Sequence, residues 1–327
     1  MTKPEDLEAA FRAARWQPAW EVSRPFVRHS QPTPSPAQVW RVGSEQGPVT
    51  LSVVIPTEDA DRGGYFRQLL RQLNAQTFQD FELIVVKGDF RQGRAINVGA
   101  ALAQGRYLMT LDDDTSLRDR ETVRRLCALM DEAPDIGLAG GNNVVPEDAP
   151  PFVQAAMRQI PRRSWEPVPT VTDSDLAEHP CLIMRRDEFC ALGGENELLP
   201  RGLDPYLRQV FRDAGKRVVV APGVLYSHLP PVTWRKLVRQ YYRNGKQAAF
   251  VNRHYPQWVI ETPGRHGTFA PRVPFPLRVV RSAGRLAGTV ITGQWIWLSC
   301  QVAYAVGFLS GWIGDRHSSP LAGRAHG

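Results

Sequence analysis

The alternation of apolar, strand-like runs with helical segments constrains the fold of this 327-residue chain more than any other feature. From Thr50 onward the runs "TLSVVIPT", "FELIVV", "RYLMTL" and "IGLAGGNNVV" alternate with segments of helical period, each about a dozen residues long. Strands buried on both faces and separated by such helices form βαβ units, and these units build a parallel sheet. The sequence therefore predicts an α/β fold.

The composition changes on both sides of this alternating region. A Pro- and Ser-rich stretch, "RHSQPTPSPAQ", precedes it, and a segment without charged residues, Leu286 to Gly314, follows it. Proline-rich sequence sustains neither a helix nor a central strand. We therefore predict an N-terminal extension or linker over residues 1–47, an α/β domain over residues 48–254 and a helical tail over residues 255–327.

The net charge indicates the class of binding partner, and the cysteine spacing indicates the cellular compartment. The formal net charge of +7 and the isoelectric point near 9.5 indicate an anionic partner, either phosphates or a membrane surface. The four cysteines are scattered and contain no CxxC pair, which is typical of reduced thiols. The opening "MTKPEDLEAAFRAARW" is charged and amphipathic, unlike a signal peptide. We therefore expect a cytoplasmic protein.

Three consecutive carboxylates, Asp112, Asp113 and Asp114, follow the run "RYLMTL". Side chains alternate along a strand, so Asp112 and Asp114 should point one way and Asp113 the other. Ligands of parallel α/β sheets bind at the carboxyl ends of strands, and Mg²⁺ and Mn²⁺ prefer oxygen ligands. The run therefore predicts a divalent metal site, with a solvated acidic turn as the alternative interpretation.

Longer pieces of the chain, in matching order from about Leu51 to Asn252, resemble family 2 glycosyltransferases of the GT-A fold. The pieces are "SVVIPT", "LNAQTFQDFELIVV", "AINVGAALAQGRYLMTLDDDT" and "IMRRDEFCALGGENELLPRGLDPYLRQVFRDAGKRVVVAPGVLYSH". The resemblance implies a Rossmann-like nucleotide-diphospho-sugar transferase, with a mostly parallel sheet flanked by helices and a C-terminal helical extension. It also implies a donor half over residues 48–145 and an acceptor half over residues 146–254.

In that family the acidic strand end is the DXD motif, whose metal ion bridges the diphosphate of a nucleotide sugar. The resemblance implies that Asp114 is the principal metal ligand and that Asp112 and Asp113 face the metal or the ribose. His228, which ends the run "VLYSH", would complete the metal site or approach the diphosphate. The implied cofactor is Mn²⁺ or Mg²⁺.

The resemblance also implies a general base. Sugar transfer needs charge neutralisation on the departing phosphate and a base that accepts the proton of the acceptor hydroxyl. The family places this base as the Asp of an ED pair after a "GG" loop, and the matching residue is Asp204 in "RGLDPYLRQV". Leu203 stands where the Glu of the pair is usual. The alternative for Asp204 is an ordinary N-terminal helix residue beside a first-turn proline.

The implied donor-binding residues lie at the ends of the first two strands and in the helix that follows. The motif "GRAIN" places two of them in a first helical turn, where backbone N–H groups favour phosphate, although Ile96 stands where the family has a basic residue. "VVKGDF" and "PTED" replace the usual Val-Asp-Asp-Gly-Ser and Pro-Thr-Tyr-Asn. The nucleobase therefore stays open, with a UDP-sugar favoured over a GDP- or dTDP-sugar. Besides Asp112 and Asp113, these residues are Pro56, Thr57, Asp89, Arg94 and Asn97.

The motif "QYYRN" contains part of the QxxRW pattern of chain-forming relatives. The resemblance implies that Gln240 and Arg243 contact the acceptor or the diphosphate. Asn244 replaces the Trp of the pattern, which argues against a processive polymer synthase.

The favoured function is a metal-dependent, inverting glycosyltransferase that acts on a hydroxyl acceptor, and we expect no nucleic-acid partner. One alternative is a sugar-1-phosphate nucleotidylyltransferase, although "PTEDADRGGYFRQ" is a poor version of its Gly-rich loop. The other alternative is a catalytically silent, membrane-bound binding module, which the lost nucleobase acids would permit.

The tail "LAGTVITGQWIWLSCQVAYAVGFLSGWIG" exceeds the roughly 20 residues that a helix needs to cross a bilayer. Arginines precede it at helical spacing, and it contains tryptophans that suit a membrane interface. Its glutamines and glycines make it only mildly hydrophobic. We predict a peripheral location at the cytoplasmic face of the membrane, which would reach a lipid-linked acceptor. The alternative is a helical pair packed on the catalytic domain.

Overall fold

The computed structural model describes residues 6–43, 49–261, 266–267, 269 and 274–314. Its strands are β1 (Gln17–Pro18), β2 (Gln38–Val42), β3 (Leu51–Thr57), β4 (Phe81–Lys87), β5 (Tyr107–Thr110), β6 (Thr115–Leu117), β7 (Ile136–Asn143), β8 (Thr172–Asp173), β9 (Leu182–Arg185) and β10 (Arg217–His228). Its helices are α1 (Leu7–Arg12), α2 (Tyr65–Asn74), α3 (Gln92–Leu102), α4 (Thr122–Glu132), α5 (Pro151–Gln159), α6 (Arg186–Ala191), α7 (Leu203–Asp213), α8 (Trp234–His254), α9 (Phe275–Ile291) and α10 (Trp295–Gly314).

The described strands form one mixed sheet in the order β1-β2-β4-β3-β5-β9-β7-β10-β6, with β8 paired to β10. Strands β4, β3, β5, β7 and β10 all run in one direction, and β9 lies antiparallel between β5 and β7. The predicted fold class is therefore confirmed. Because these long strands share a direction, their carboxyl ends meet at one edge of the sheet.

Both faces of the central strands are buried, as their continuous apolar runs predict. Val53 and Ile55 of β3 pack with α2 on one face, and Val54 packs with α3 on the other. Helix α3 approaches β3 closely at Gly99, where a Cβ would lie 2.4 Å from Val54 Cγ1. The core thus lies in two layers, one on each face of the sheet, and its packing fixes the positions of the strand ends relative to one another.

Parts of the predicted N-terminal extension pack against the sheet. Strand β2 pairs antiparallel with β4 at the sheet edge, and Leu7 of α1 is fully buried in the core on the α2 side. The Pro-rich composition of this region did not indicate such packing. The predicted boundary between residues 47 and 48 lies outside the described residues.

Helices α8 and α10 are packed together through glycines. A Cβ at Gly307 would lie 2.0 Å from the carbonyl oxygen of Tyr242, and a Cβ at Gly245 would lie 2.0 Å from that of Tyr304. Helix α10 is the one described helix that is long and apolar enough to cross a membrane, and 28% of its apolar window is buried. Much of α10, and nearly all of α9, faces outward.

Candidate metal and catalytic site

Strand register brings His228 to the aspartate run. Strand β6 follows the aspartates and pairs antiparallel with the end of β10, so that His228 stands opposite Thr115. His228 Nε2 consequently lies 3.0 Å from Asp114 Oδ1 and 3.7 Å from Asp112 Oδ2. The ligand atoms of the three side chains all lie within 4.8 Å of one another.

The aspartates lie in a turn and not on the strand itself, because β5 ends at Thr110. Their side chains nevertheless divide as the alternation predicts. Asp112 and Asp114 face His228, whereas Asp113 accepts a hydrogen bond of 2.5 Å from the Thr57 hydroxyl at the end of β3. The turn therefore joins the ends of β3, β5 and β10 at one point of the sheet edge.

The chemistry of this donor set fits a divalent cation. Carboxylates are the ligands that Mg²⁺ and Mn²⁺ prefer, and imidazole is a common ligand of transition metals. Two carboxylates and one imidazole, as Asp112, Asp114 and His228 provide, therefore suit Mn²⁺ better than Mg²⁺.

Burial and mutual contacts shift the pKa values of the cluster in different directions. Burial raises the pKa of Asp112 and that of Asp113 to about 6. Burial would also raise the pKa of Asp114, but the charges of His228 and Arg62 outweigh it and hold that pKa well below its usual range. Asp114 in turn raises the pKa of His228 against the opposing effect of burial. Asp114 is thus the most firmly ionised carboxylate of the three.

Two contacts of the cluster come from residues that the sequence patterns did not single out. Arg62 Nε lies 3.1 Å from Asp114 Oδ2 and 3.5 Å from Asp113 Oδ1. Arg62 adopts a left-handed φ of 48° in the loop after β3, a conformation that is uncommon for a residue other than glycine. Gln92 Nε2, in the first turn of α3, donates a 2.8 Å hydrogen bond to Asp112 Oδ1. The "DRGG" sequence of the loop was the available signal for Arg62.

Asp204 is the second residue of α7, as predicted, and Gly202 precedes the helix with a φ of 83°. Its Oδ1 accepts a 2.8 Å hydrogen bond from the backbone N–H of His179. Burial would raise the pKa of Asp204, but the charges of His179 and Arg208 outweigh it and lower that pKa. Asp204 is therefore ionised at neutral pH.

His179 is the centre of a buried network that the sequence did not reveal. Its Nε2 lies 2.9 Å from Glu195 Oε1, and its Nδ1 lies 3.0 Å from the Thr110 hydroxyl. Burial would lower the pKa of His179, but Glu195 and Asp204 raise it to about 9. The pKa of neighbouring Glu178 is raised by burial and by Asp204. No spacing pattern marks His179, because its partners come from three separate segments.

Three predicted donor-binding residues make other contacts. Arg94 and Asp89 form a buried ion pair of 2.7 Å, and Asp89 also accepts a 2.6 Å hydrogen bond from the Ser35 hydroxyl. The Asn97 amide is held by Glu195 and Glu197. These groups tie α3 to the N-terminal segment and to the loop before α7. Phosphate binding by Arg94 and Asn97 and nucleobase binding by Asp89 stay predictions.

The remaining predicted residues lie at the end of β3 and on α8. Pro56 and Thr57 end β3, and Thr57 holds Asp113 as described above. Gln240 and Arg243 lie on α8, which begins six residues after His228. Gln240 Oε1 is buried and has no hydrogen-bond partner among the described residues, and Arg243 is exposed.

Comparison with known proteins rests on structure. No family model matches the chain, and no curated protein matches its sequence. The mannosyltransferase PcManGT of Pyrobaculum calidifontis, solved with GDP-Man and Mn²⁺, is 11% identical; the match covers 95% of this chain and 96% of that one, with a TM-score of 0.52. S. aureus TarS residues 1–349 are 16% identical over 82% of this chain and 93% of that one, with a TM-score of 0.41. The architecture and the first of these matches together identify the fold of the chain as that of GT-A glycosyltransferases.

Proposed function

We propose that the protein is a metal-dependent, inverting glycosyltransferase that transfers a sugar from a nucleoside-diphosphate sugar to a hydroxyl acceptor. The observation that carries the proposal is the meeting of Asp112, Asp114 and His228, within 4.8 Å of one another, at the carboxyl edge of a GT-A sheet. The solved mannosyltransferase of the same fold contains GDP-Man and Mn²⁺, which supports the same class of donor and metal here.

The cluster would bind a cation at this edge of the sheet, and the cation would bind the diphosphate of the donor. A divalent cation bound by Asp112, Asp114 and His228 would neutralise negative charge on the departing diphosphate. His228 must release its Nε2 proton to act as a ligand, so cation binding should displace a proton from the cluster. Asp113 and Thr57 hold the turn in place from the opposite side through their 2.5 Å hydrogen bond.

Asp204 is the proposed general base. The His179 backbone N–H fixes one of its carboxylate oxygens at 2.8 Å, and the lowered pKa keeps the carboxylate ionised. An ionised carboxylate can accept the proton of an acceptor hydroxyl while that oxygen attacks the sugar carbon. Attack opposite the departing diphosphate inverts the configuration of that carbon. His179 acts here as a positioning residue, since its ring faces Glu195 and Thr110.

The donor proposal is a UDP-sugar, with GDP- and dTDP-sugars as the other members of the same class. Asp89, the expected nucleobase reader, is occupied by Arg94 and Ser35. The contacts of the described residues therefore do not favour one nucleobase. We propose residues 48–254 as the catalytic domain, with residues 255–327 as a tail that places the enzyme at the cytoplasmic face of a membrane.

Isothermal titration calorimetry with UDP-glucose, UDP-N-acetylglucosamine, GDP-mannose and dTDP-rhamnose tests the proposal. We expect Mn²⁺-dependent binding of at least one donor to the wild-type chain and its loss in Asp114→Asn. A nucleotidylyltransferase would instead release pyrophosphate from a nucleoside triphosphate and a sugar 1-phosphate. A silent module would bind no donor in a metal-dependent way, and either of these results would refute the proposal.

A further inference from the structure

The basic excess of the chain is concentrated in its C-terminal part. Residues 229–314 contain eleven arginines and lysines but a single acidic residue, Glu261, which gives a net charge of +10. The whole chain carries +7, so the remaining residues carry −3. The segment that contains α8, α9 and α10 therefore carries the basic excess that an anionic surface would attract.

Helix α9 carries arginines on one side and a wide apolar face on the opposite side. At about 100° per residue, Arg278, Arg281 and Arg285 fall within an arc of about 60°. Val279, Val280, Leu286, Val290 and Ile291 occupy the opposite side of the helix, and Val280 is 65% and Ile291 85% exposed.

The apolar face of α9 is turned away from the rest of the protein. Gln301 Nε2 of α10 donates a 2.7 Å hydrogen bond to Thr289, which lies beside the arginine stripe. Phe275 at the start of α9 stacks on Trp312 of α10, with ring centroids 6.3 Å apart. These contacts place the Thr289 side of α9 against α10 and leave the apolar face exposed. Exposed apolar residues arranged in this way are typical of a helix that lies in a lipid–water interface.

An apolar groove adjoins this surface. It is a shallow, open depression of about 530 Å³ between α8 and α10, lined mainly by Trp234, Val238, Trp295, Leu298 and Val302. Trp234 and Trp295 are 45% and 59% exposed, and tryptophans in this position suit the boundary between head groups and acyl chains. Exposed Arg235, Lys236 and Arg239 stand on the α8 side and match anionic head groups.

The packing of α8 on α10 indicates that α10 lies at the membrane surface and does not cross the membrane. Helix α8 lies against α10 through Gly245 and Gly307 and carries six arginines and lysines over its length. A spanning α10 would draw such charges toward the bilayer, where each costs about 2.5–3.5 kcal/mol at the centre. An interfacial position leaves these charges among head groups.

The groove also lies within reach of the proposed metal site. Trp234 follows His228 by six residues, and six residues span at most about 22 Å when fully extended. The Trp234 end of the groove therefore lies no more than about 22 Å from His228.

We propose that α9 and α10 form an interfacial lipid-binding surface and that the groove holds the hydrocarbon chain of a lipid with a hydroxyl-bearing head group. We assign this lipid as the acceptor class of the reaction proposed above, and this assignment rests on the proposed function. The arginines of α9 bind the anionic head groups around it.

Flotation with vesicles tests the surface. Full-length protein should float with vesicles of phosphatidylcholine and phosphatidylglycerol but not with phosphatidylcholine alone. Each surface arginine contributes a factor of about five to binding, so substitution of the exposed pair, Arg281→Gln/Arg285→Gln, should weaken the partition coefficient about 30-fold. The matched control Arg12→Gln/Arg67→Gln removes two exposed arginines of α1 and α2 and should change it less than about twofold. Absence of flotation with the vesicles that contain phosphatidylglycerol, or an equal loss in the control, would overturn the surface proposal.

Fluorescence of cis-parinaric acid, a single-chain lipid, tests the groove without vesicles. Val302→Trp and Val238→Trp fill the groove from its two walls and should abolish the saturable fluorescence increase. Val306→Trp adds the same bulk at an exposed position of α10 outside the groove and should retain it. Equal binding by all four proteins, or no binding by the wild type, would refute the chain site.

Donor calorimetry on the same proteins separates the two proposals. The groove and arginine variants should bind a nucleotide sugar with Mn²⁺ as the wild type does, because none of them alters the metal cluster. A wild type that takes up the lipid probe but no nucleotide sugar would leave the lipid site standing and remove the glycosyltransferase function. The reverse result would remove only the lipid site.

Discussion

His228 Nε2 lies 3.0 Å from Asp114 Oδ1, and this contact joins the last residue of β10 to the turn after β5. The pairing of β6 with β10 sets the distance, since it places His228 opposite Thr115. The candidate metal cluster is therefore positioned by the sheet register. Substitutions of single residues test the proposed roles of this cluster.

Asp114→Asn should weaken Mn²⁺ binding by at least about 100-fold, because loss of an outer partner alone usually costs 10–100-fold and Asp114 is the most firmly ionised ligand. The amide keeps the shape and removes the charge. Calorimetric titration with Mn²⁺ measures the change, and the exposed Asp61→Asn in the neighbouring loop is the control. Wild-type Mn²⁺ affinity in Asp114→Asn would exclude this cluster as the metal site.

Arg62→Ala should tighten Mn²⁺ binding in the absence of nucleotide by roughly 3- to 10-fold. Arg62 competes for the Asp113 and Asp114 carboxylates and repels a second cation, but its side chain is 47% exposed, so solvent screens part of the effect. Arg62→Lys keeps the charge and should stay close to the wild type. If Arg62→Ala weakens Mn²⁺ binding instead, the main role of Arg62 is to orient Asp114.

Asp204→Asn should reduce turnover by roughly 10²-fold or more, the usual scale for loss of a general base, while donor affinity stays near the wild-type value. The amide oxygen can still accept the hydrogen bond from the His179 N–H, so the start of α7 should be preserved. Steady-state kinetics and donor calorimetry give the two quantities separately. Unchanged turnover would place the base elsewhere, and Glu178 would be the next carboxylate to test.

The stability of the protein should fall as the pH rises from 7 to 10. The pKa of folded His179 is raised from its ordinary value of about 6.5 to about 9. Its proton therefore stabilises the fold fully below about pH 6.5, and this contribution is lost as the pH passes about 9. Thermal unfolding followed by circular dichroism should show this slope in the wild type. His179→Gln should be less stable at pH 7 and should show a flatter profile over this range; an unchanged profile would contradict the assignment.

Gly307→Ala should destabilise the packing of α10 on α8 by about 1–3 kcal/mol, because the added Cβ would lie 2.0 Å from the carbonyl oxygen of Tyr242 and force the helices apart. Gly288→Ala is the matched control. No atom lies within 4 Å of a Cβ at Gly288, so alanine there should stabilise helix α9 by up to about 1 kcal/mol. Urea unfolding of both variants measures the difference, and similar values would show that the close approach is absent in solution.

The sequence alone determined the elements of the domain. The apolar run of β3 and the helical period of α2 are local signals, because burial on both faces of a strand and on one face of a helix dictates residue types at fixed spacing. The position of the aspartate run after β5 and of His228 at the end of β10 was readable for the same reason. These positions predicted a candidate metal site, and the structure brings Asp112, Asp114 and His228 together.

The tertiary structure alone decided which side chains meet. Arg62 contacts Asp114, and Arg94 contacts Asp89, although no periodicity in the sequence relates the residues of either pair. The His179 contacts with Glu195 and Asp204 likewise depend on how α7 and the chain before β9 fold over the sheet. Sequence pattern reports burial and local geometry, whereas such polar contacts depend on distances between segments that only the packed sheet and helices fix.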